Sequence, residues 1–140
     1  MASWLSGSIV NIGSIVGKAP NPWAGSYCAS KAYVHAVSNT LRVELKPFGI
    51  DVALVMPGAV RSNFGSANVD RLANHDWKLY KDFKEAIAER VAASQGGKAT
   101  EPSVFARHVA KKVLGPKPPR LISFAHMTGC LLCFLALHFG

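Results

Sequence analysis

The sequence predicts an α/β fold built on a parallel β-sheet, and three segments in its first half carry that prediction. The first is a short apolar run from Ser8 to Ile12, closed by Gly13-Ser14, as expected of a buried strand. In the second, from Ser26 to about Lys46, apolar residues recur every three or four positions, the period of an amphipathic helix. The third is the apolar run from Ile50 to Val55, which Pro57-Gly58 ends. This order is typical of a right-handed βαβ unit that binds ligands at the carboxyl ends of its strands.

Composition and charge narrow the class of protein. The chain has 140 residues, 49% of them apolar and 17% charged, which suits a globular domain rather than a disordered segment. Lys and Arg outnumber Asp and Glu by 16 to 8, and the net charge of +8 favours anionic lipid or a phosphorylated substrate. Because acidic residues are mixed among the basic ones and no RNA-type aromatic motif is present, we expect no nucleic-acid partner.

Cysteines and histidines do not indicate a metal site. The three cysteines, Cys28, Cys130 and Cys133, lack a second ligand pair in a polar setting, which predicts reduced thiols and no bound metal. Cys28 is expected to be a small packing residue. No two histidines share ligand spacing with a carboxylate, so we expect them on the surface or in packing contacts. They are His35, His75, His108, His126 and His138.

After the second strand, two further helices are predicted, from Asp76 to Ala93 and from Ser103 to Leu114. A basic, proline-rich connector follows, and the chain ends in an apolar tail at 121–140. The tail is either a core strand followed by a docked end or a membrane contact. Its densest apolar run, Cys130 to Phe139, is shorter than the ~20 residues of a spanning helix, which favours attachment at the membrane surface or a spanning segment that is cut short.

A tyrosine and a lysine four residues apart form a candidate catalytic pair. One helical turn places Tyr27 and Lys31 on the same face of the long helix. An ammonium near a phenol stabilises the phenolate, which makes the tyrosine a better proton donor near neutral pH. The spacing alone is weak evidence, because Tyr80 and Lys84 repeat it. Only the first pair has a serine, Ser14, thirteen residues before the tyrosine at the end of a predicted strand.

Ser14 and the turn after the second strand complete the predicted site. Ser14 can donate a hydrogen bond to a carbonyl oxygen while Tyr27 delivers the proton, so that hydride meets a polarised carbon. In the turn at 57–62, Gly58 permits a flat ring to approach the backbone closely, and free N–H groups are expected to bind an amide or phosphate.

Three motifs, in this order and spacing, closely resemble the catalytic half of the short-chain dehydrogenases/reductases. They are Asn11-Ile12-Gly13-Ser14, Tyr27-Cys28-Ala29-Ser30-Lys31 and Pro57-Gly58-Ala59-Val60-Arg61-Ser62. The resemblance implies that Ser14 orients the carbonyl, that Tyr27 is the acid/base, and that Ser14 and Tyr27 bind the substrate. It implies that Lys31 raises the acidity of the tyrosine and binds the nicotinamide ribose together with Tyr27. The residues implied to line the nicotinamide end are Pro57, Gly58, Val60 and Ser62.

The resemblance also implies a fold class. A family member opens with a Gly-rich turn that holds the pyrophosphate at a helix N-terminus, and no such turn precedes the first strand here. We therefore expect an α/β chain that is the C-terminal part of a Rossmann-like doubly wound parallel sheet. Its strands would be equivalent to the fifth to seventh, and the N-terminal nucleotide-binding half would be absent. Residues 1–120 would be a partial catalytic domain, and Met1 an internal methionine of a longer protein.

A narrower resemblance concerns the substrate. The segments Leu41–Gly49 and Ser62–Phe64, with the connector before the apolar tail, are similar to the 1-acyldihydroxyacetone-phosphate reductase-like branch. That branch implies a lipid ketone as substrate and NADPH as the cofactor of the full-length protein. It also implies a location at the endoplasmic reticulum or on lipid droplets, and otherwise in the cytoplasm. The family implies a homodimer formed through the helix at 26–46.

Two other functions are compatible with these residues. One is a truncated, non-catalytic product that acts as a dimerisation or membrane-associated module, because the Gly-rich cofactor motif is missing. The other is an enzyme of the same family that acts on a steroid, a retinoid or a fatty aldehyde. The segment from Gly65 to Thr100 would decide the substrate, and its sequence carries no substrate motif. Cofactor binding separates the first alternative from the enzyme.

Overall fold

The computed structural model describes residues 6–73, 75–92 and 95–125, which form a three-stranded parallel sheet with helices around it. The elements in chain order are β1 (Gly7–Ile12), α1 (Gly25–Glu44), β2 (Ile50–Pro57), α2 (Asn63–Ala73), α3 (Lys84–Ala92), α4 (Pro102–Val113) and β3 (Leu121–Phe124). Short 3₁₀ turns lie at Ile15–Gly17, Lys46–Phe48 and Lys81–Phe83.

β2 is the central strand of this sheet, with β1 on one side and β3 on the other, both parallel to it. Ile12 is in register with Val55, and Phe124 with Pro57, so the carboxyl ends of the strands lie at one edge. The run Val52–Met56 is buried throughout, because a central strand covered on both faces needs apolar side chains in both directions.

α1 is the crossover from β1 to β2, and it lies where the periodicity predicts the long helix. It runs from Gly25 to Glu44, close to the predicted span of Ser26 to Lys46. The chain then turns into β2 through Gly49, whose φ of 71° lies in the left-handed region that favours glycine. The residues of α1 that are buried are Cys28, His35 and Ser38.

The region after β2 contains one more helix than the sequence predicts. α4 at Pro102–Val113 agrees with the prediction to within one residue at each end, whereas α3 begins at Lys84 rather than at Asp76. α2 was not predicted, because its residues Asn68, Arg71 and Leu72 face a cavity and mix polar with apolar character. A helix face of mixed polarity has no clear apolar period.

β3 is formed by the first residues of the predicted apolar tail. Leu121–Phe124 pair with Leu54–Pro57, and Ile122 is buried. The start of the tail is thus part of the sheet. Residues 126–140, with the predicted membrane contact at Cys130 to Phe139, lie outside the described residues. None of the helices within 6–73, 75–92 and 95–125 is long and apolar enough to span a membrane.

The predicted α/β fold with a parallel sheet is observed, but the predicted fold class is wrong in the part of the family fold that it assigns to this chain. The chain was expected to be the C-terminal part of a Rossmann-like doubly wound sheet, with strands equivalent to the fifth to seventh and the N-terminal half absent. The sheet of the described residues begins instead with a glycine-led strand, β1 at Gly7–Ile12, and its order is β1-β2-β3. Motif spacing predicts the order of strands and helices along a chain. It does not assign each strand its place in a sheet, because that depends on pairing between distant segments.

Candidate active site

Ser14 lies just beyond the carboxyl end of β1, at the point where the chain leaves the sheet. The N–H of Gly13 donates to Val55 O at 2.8 Å, which continues the pairing with β2 one residue past the strand. The Oγ of Ser14 accepts a hydrogen bond from the N–H of Val16 at 3.4 Å and caps the following 3₁₀ turn. Ser14 is buried, and the loop around it fixes its position.

Tyr27 and Lys31 lie one turn apart near the start of α1, as their spacing predicts. The Nζ of Lys31 lies 5.8 Å from the centroid of the Tyr27 ring, within the range of a cation–π interaction. The same ammonium donates a hydrogen bond to Ile12 O at 3.1 Å. Lys31 therefore connects the Tyr27 ring to the end of the strand that leads to Ser14.

The second tyrosine–lysine pair has a different setting. Tyr80 precedes the 3₁₀ turn at Lys81–Phe83, and Lys84 is the first residue of α3. Both side chains are exposed. Of the two tyrosines, Tyr27 is the one with a lysine over its ring in the part of the chain that the structure describes.

A nicotinamide ribose fits the donors of Lys31. An ammonium has three N–H donors, and the bond to Ile12 O is the one hydrogen bond that Nζ forms within the described residues. Two donors thus remain for the hydroxyl groups of a sugar at the carboxyl edge of the sheet. Within the same residues no group of three His, Cys, Asp or Glu side chains could hold a metal ion.

In the turn after β2, more backbone N–H groups form hydrogen bonds with the protein itself than predicted. Three of its N–H groups have protein acceptors: Gly58 donates to Phe124 O at 3.1 Å, Arg61 to Thr100 O at 3.0 Å, and Ser62 to Gln95 Oε1 at 3.1 Å. The expectation that these N–H groups are free for a ligand is therefore wrong. The contacts of Pro57, Gly58, Val60 and Ser62 with a nicotinamide stay a prediction.

His35 is a packing residue, which agrees with one of the two predicted settings, and it packs against the Ser14 loop. Its ring is buried, and Nε2 accepts the backbone N–H of Ser14 at 3.4 Å. The ring lies between two glycines of the Ser14 loop. A Cβ on Gly13 would be 2.6 Å from Nε2, and one on Gly17 would be 2.7 Å from Cε1. The loop can therefore close over the imidazole only with glycine at both positions.

The environment of His35 favours the neutral form of its ring. Burial lowers the pKa of His35 from its ordinary value, and the ammonium groups of Lys18 and Lys31 act in the same direction. A neutral Nε2 can accept the N–H of Ser14, whereas a protonated one cannot. A signal for this role was present in the sequence, because His35 follows Lys31 by four residues on the same helix face.

A cavity of about 480 Å³ lies beside Tyr27, within the range of about 300–1,000 Å³ that is usual for small-molecule sites. Its walls come from the start of α1, from α2 and α3, and from the segment between them. Tyr27 lines this cavity, whereas Ser14 and Lys31 are not among its lining residues. Trp23, also in the wall, has a φ of 56°, a strained value for a non-glycine residue and one that recurs at functional sites.

Comparison with known proteins identifies the family. A model described as short chain dehydrogenase matches residues 1–96. The chain belongs to the short-chain dehydrogenase family. The resemblance drawn from the motifs around Ser14, Tyr27 and Pro57 is thereby confirmed. The match covers residues 1–96, the amino-terminal part of the chain, which contradicts the assignment of the chain as a C-terminal half.

The short-chain dehydrogenase relatives are longer proteins. Short-chain dehydrogenase PC-15 of Penicillium crustosum is 37% identical over 108 residues, which are 77% of this chain and 39% of that protein. The NADPH-dependent 1-acyldihydroxyacetone phosphate reductase of Schizosaccharomyces pombe is 37% identical over 86 residues, 59% of this chain and 29% of that protein. The chain thus spans less than half the length of these relatives.

Among solved structures, a variant of actinorhodin polyketide ketoreductase with NADPH has a TM-score of 0.62 to this chain at 28% identity. The match covers 89% of this chain and 48% of that one. That ketoreductase structure contains NADPH.

Proposed function

We propose that this chain carries the proton-transfer residues of an NADPH-dependent carbonyl reductase of the short-chain type. One observation carries the proposal: a single ammonium, Lys31 Nζ, contacts the face of the Tyr27 ring and the end of the strand that leads to Ser14. Similarity to an NADPH-dependent reductase and to a ketoreductase with NADPH supports the choice of cofactor.

In the proposed reaction each residue has a separate task. Ser14 donates a hydrogen bond to the substrate carbonyl oxygen and holds the carbonyl in place. NADPH, when bound, supplies a hydride to the carbonyl carbon. Tyr27 gives its hydroxyl proton to the carbonyl oxygen, which completes the alcohol. Lys31 binds the ribose hydroxyls with its remaining donors and stabilises the phenolate that Tyr27 becomes.

For the substrate we propose a lipid ketone such as 1-acyldihydroxyacetone phosphate. Three observations support this class: the similarity to the fission-yeast reductase, the cavity beside Tyr27, and the net charge of +8. The same charge supports a proposed position at an anionic membrane or lipid-droplet surface. The apolar tail that would assist such contact lies at 126–140, outside the described residues.

The test compares Tyr27→Phe with Tyr80→Phe, because both tyrosines precede a lysine by four residues. We expect Tyr27→Phe to lower the rate of NADPH oxidation with 1-acyldihydroxyacetone phosphate by about 10²-fold or more. Tyr80→Phe should keep the unsubstituted rate. NADPH binding, followed by its fluorescence, should persist in both variants, because the ribose contacts assigned to Lys31 remain. Equal rates in the two variants would contradict the role of Tyr27.

The cofactor is tested separately from the chemistry. Binding of NADPH at micromolar concentration supports the reductase. If no binding is detected at millimolar NADPH, the proposal is contradicted, and a non-catalytic dimerisation or membrane module is favoured instead.

A further inference from the structure

Two of the residues that line the cavity beside Tyr27 each have a buried N–H donor without an acceptor. Arg90 Nε and Trp77 Nε1 are both inaccessible to solvent, and neither forms a hydrogen bond within the described residues. Both residues line the same cavity. Buried polar groups in folded proteins are almost always hydrogen-bonded, so two such donors beside one cavity favour a ligand that supplies an acceptor.

The charge of the cavity wall specifies the kind of acceptor. Arg71 and Arg90 both line it, and an arginine side chain stays positively charged at any pH of interest. No Asp or Glu is among its lining residues in the part of the chain that the structure describes. An arginine with its planar donors matches the oxygens of a phosphate or carboxylate. The wall therefore favours a negatively charged group.

The wall also has an apolar part. Trp23, Leu72, Ile87 and Val91 line the cavity together with the two arginines. Ile87 is almost completely buried, and Trp23 contacts Phe83 with ring centroids 6.5 Å apart. A ligand that satisfies both parts of the wall needs an apolar body and an anionic end.

We propose that this cavity is an anion subsite. In it, Arg90 and Trp77, assisted by Arg71, bind the phosphate or carboxylate of an amphipathic ketone and so bring its carbonyl toward Tyr27. The reference to a ketone rests on the proposed reductase function, whereas the binding of an amphipathic anion does not. The subsite extends the site into α2 and α3, which the sequence motifs do not reach.

Binding is tested with three probes of equal chain length: octyl phosphate, octanoate and octanol. Because Trp23 and Trp77 line the cavity, tryptophan fluorescence reports occupancy directly. We expect octyl phosphate or octanoate to bind at least about tenfold more tightly than octanol. The tighter of the two anions identifies the head group. Equal affinity for the anions and octanol would overturn the proposal, as would inorganic phosphate that binds as tightly as octyl phosphate.

Substitution of single arginines tests where the anion binds. Arg90→Met should weaken binding of the preferred anion by about tenfold or more and leave octanol binding nearly unchanged. Arg107→Met is the matched control, because Arg107 is an exposed arginine of α4 outside the cavity, and it should bind like the unsubstituted chain. If Arg90→Met does not fold, as judged by circular dichroism, Arg71→Met at an exposed position replaces it with the same expected loss. Unchanged anion binding in a folded variant would overturn the subsite.

The subsite and the reductase can fail independently. If the chain binds octyl phosphate but does not oxidise NADPH with any ketone tested, the proposed function is contradicted and the anion subsite is retained. A chain that reduces phosphorylated and neutral ketones with the same kcat/KM, unaffected by Arg90→Met, contradicts the subsite and retains the reductase.

Discussion

The Ser14 loop is held by an imidazole that accepts a hydrogen bond only in its neutral form. His35 Nε2 accepts the N–H of Ser14, and the ring fills the space between Gly13 and Gly17. The position and the protonation state of His35 therefore affect how the candidate catalytic residue Ser14 is held. Two predictions concern the contacts of His35.

The first prediction concerns pH. Burial and the charge of Lys18 lower the pKa of His35 in the folded state below its ordinary value of 6.5. As pH falls below that value, the unfolded chain binds the proton before the folded chain does, so the free energy of unfolding decreases. We expect the urea midpoint to fall between about pH 7 and pH 5.5, and to fall less in His35→Gln.

His108→Gln is the control for this measurement. His108 lies on α4 and stacks on Phe124 of β3, with ring centroids 3.9 Å apart, on the side of β2 away from β1. This variant should keep the pH dependence of the unsubstituted chain. An identical pH dependence in His35→Gln would contradict the assignment of the effect to His35.

The second prediction concerns Gly17. An added Cβ would lie 2.7 Å from His35 Cε1 and 2.9 Å from the backbone carbon of Lys31, and helix backbone cannot move aside locally. We expect Gly17→Ala to lower the free energy of unfolding by about 1–3 kcal/mol in urea titrations. Gly7→Ala, where nothing lies within 4 Å, should change it by less than about 0.5 kcal/mol. Similar values for the two variants would show that the loop does not pack tightly on His35.

Among the elements, α1 is bonded to β2 and to the residue before β3 by the side chain of Arg42. Arg42 donates from Nε to Val52 O at 3.1 Å and from Nη2 to Arg120 O at 3.0 Å. It also donates from Nη1 to Asn39 Oδ1 at 2.7 Å. These bonds connect α1 to the central strand and to the residue that precedes β3.

The third prediction follows from this geometry. A lysine cannot place three donors in the directions that a guanidinium uses, so Arg42→Lys should lower the free energy of unfolding by about 1–3 kcal/mol. Arg107→Lys, an exposed arginine of α4, is the matched control and should have little effect. Urea titration of both variants gives the comparison, and equal stability would exclude a structural role for the Arg42 bonds.

Several apolar side chains of α1 are exposed, although the periodicity predicts an apolar face that is buried. The periodicity that predicts the helix includes Ala29, Tyr33 and Ala36, yet the structure leaves all three exposed. Two of its three buried residues, His35 and Ser38, are polar. Ser38, for example, accepts a hydrogen bond from Asn11 Nδ2 at 3.0 Å. Such burial is stable because the polar groups are bonded, and it leaves an apolar stripe on the outer face.

For the whole molecule, this stripe supports the proposed homodimer through α1. Tyr33 is 69% exposed and Val43 is 73% exposed, so both are available to a partner. The fourth prediction is that Tyr33→Asp converts a dimer to a monomer in light scattering coupled to size exclusion, because a charge would be buried in an apolar contact. Tyr80→Asp, at an exposed position outside α1, should stay dimeric. A monomeric unsubstituted chain would contradict the dimer.

Several features could be predicted from the chain alone. The span of α1, the strands before and after it, and the pairing of Tyr27 with Lys31 all follow from periodicity and short spacing. The motifs around Ser14, Tyr27 and Pro57 also indicate the short-chain dehydrogenase family, which the family model confirms. These features need information from residues that are near one another in sequence, or from motifs whose spacing is characteristic of the family.

Other features depend on residues that are far apart in the chain. The place of the strands in the sheet was wrongly predicted, the turn after β2 uses N–H groups expected to be free, and His35 was not assigned to the Ser14 loop. Arg42 and Arg120 are 78 residues apart when they bond, and the cavity unites Tyr27 with Arg90. Periodicity reports the local conformation of a segment, whereas burial and pairing depend on which distant segments the folded chain brings together.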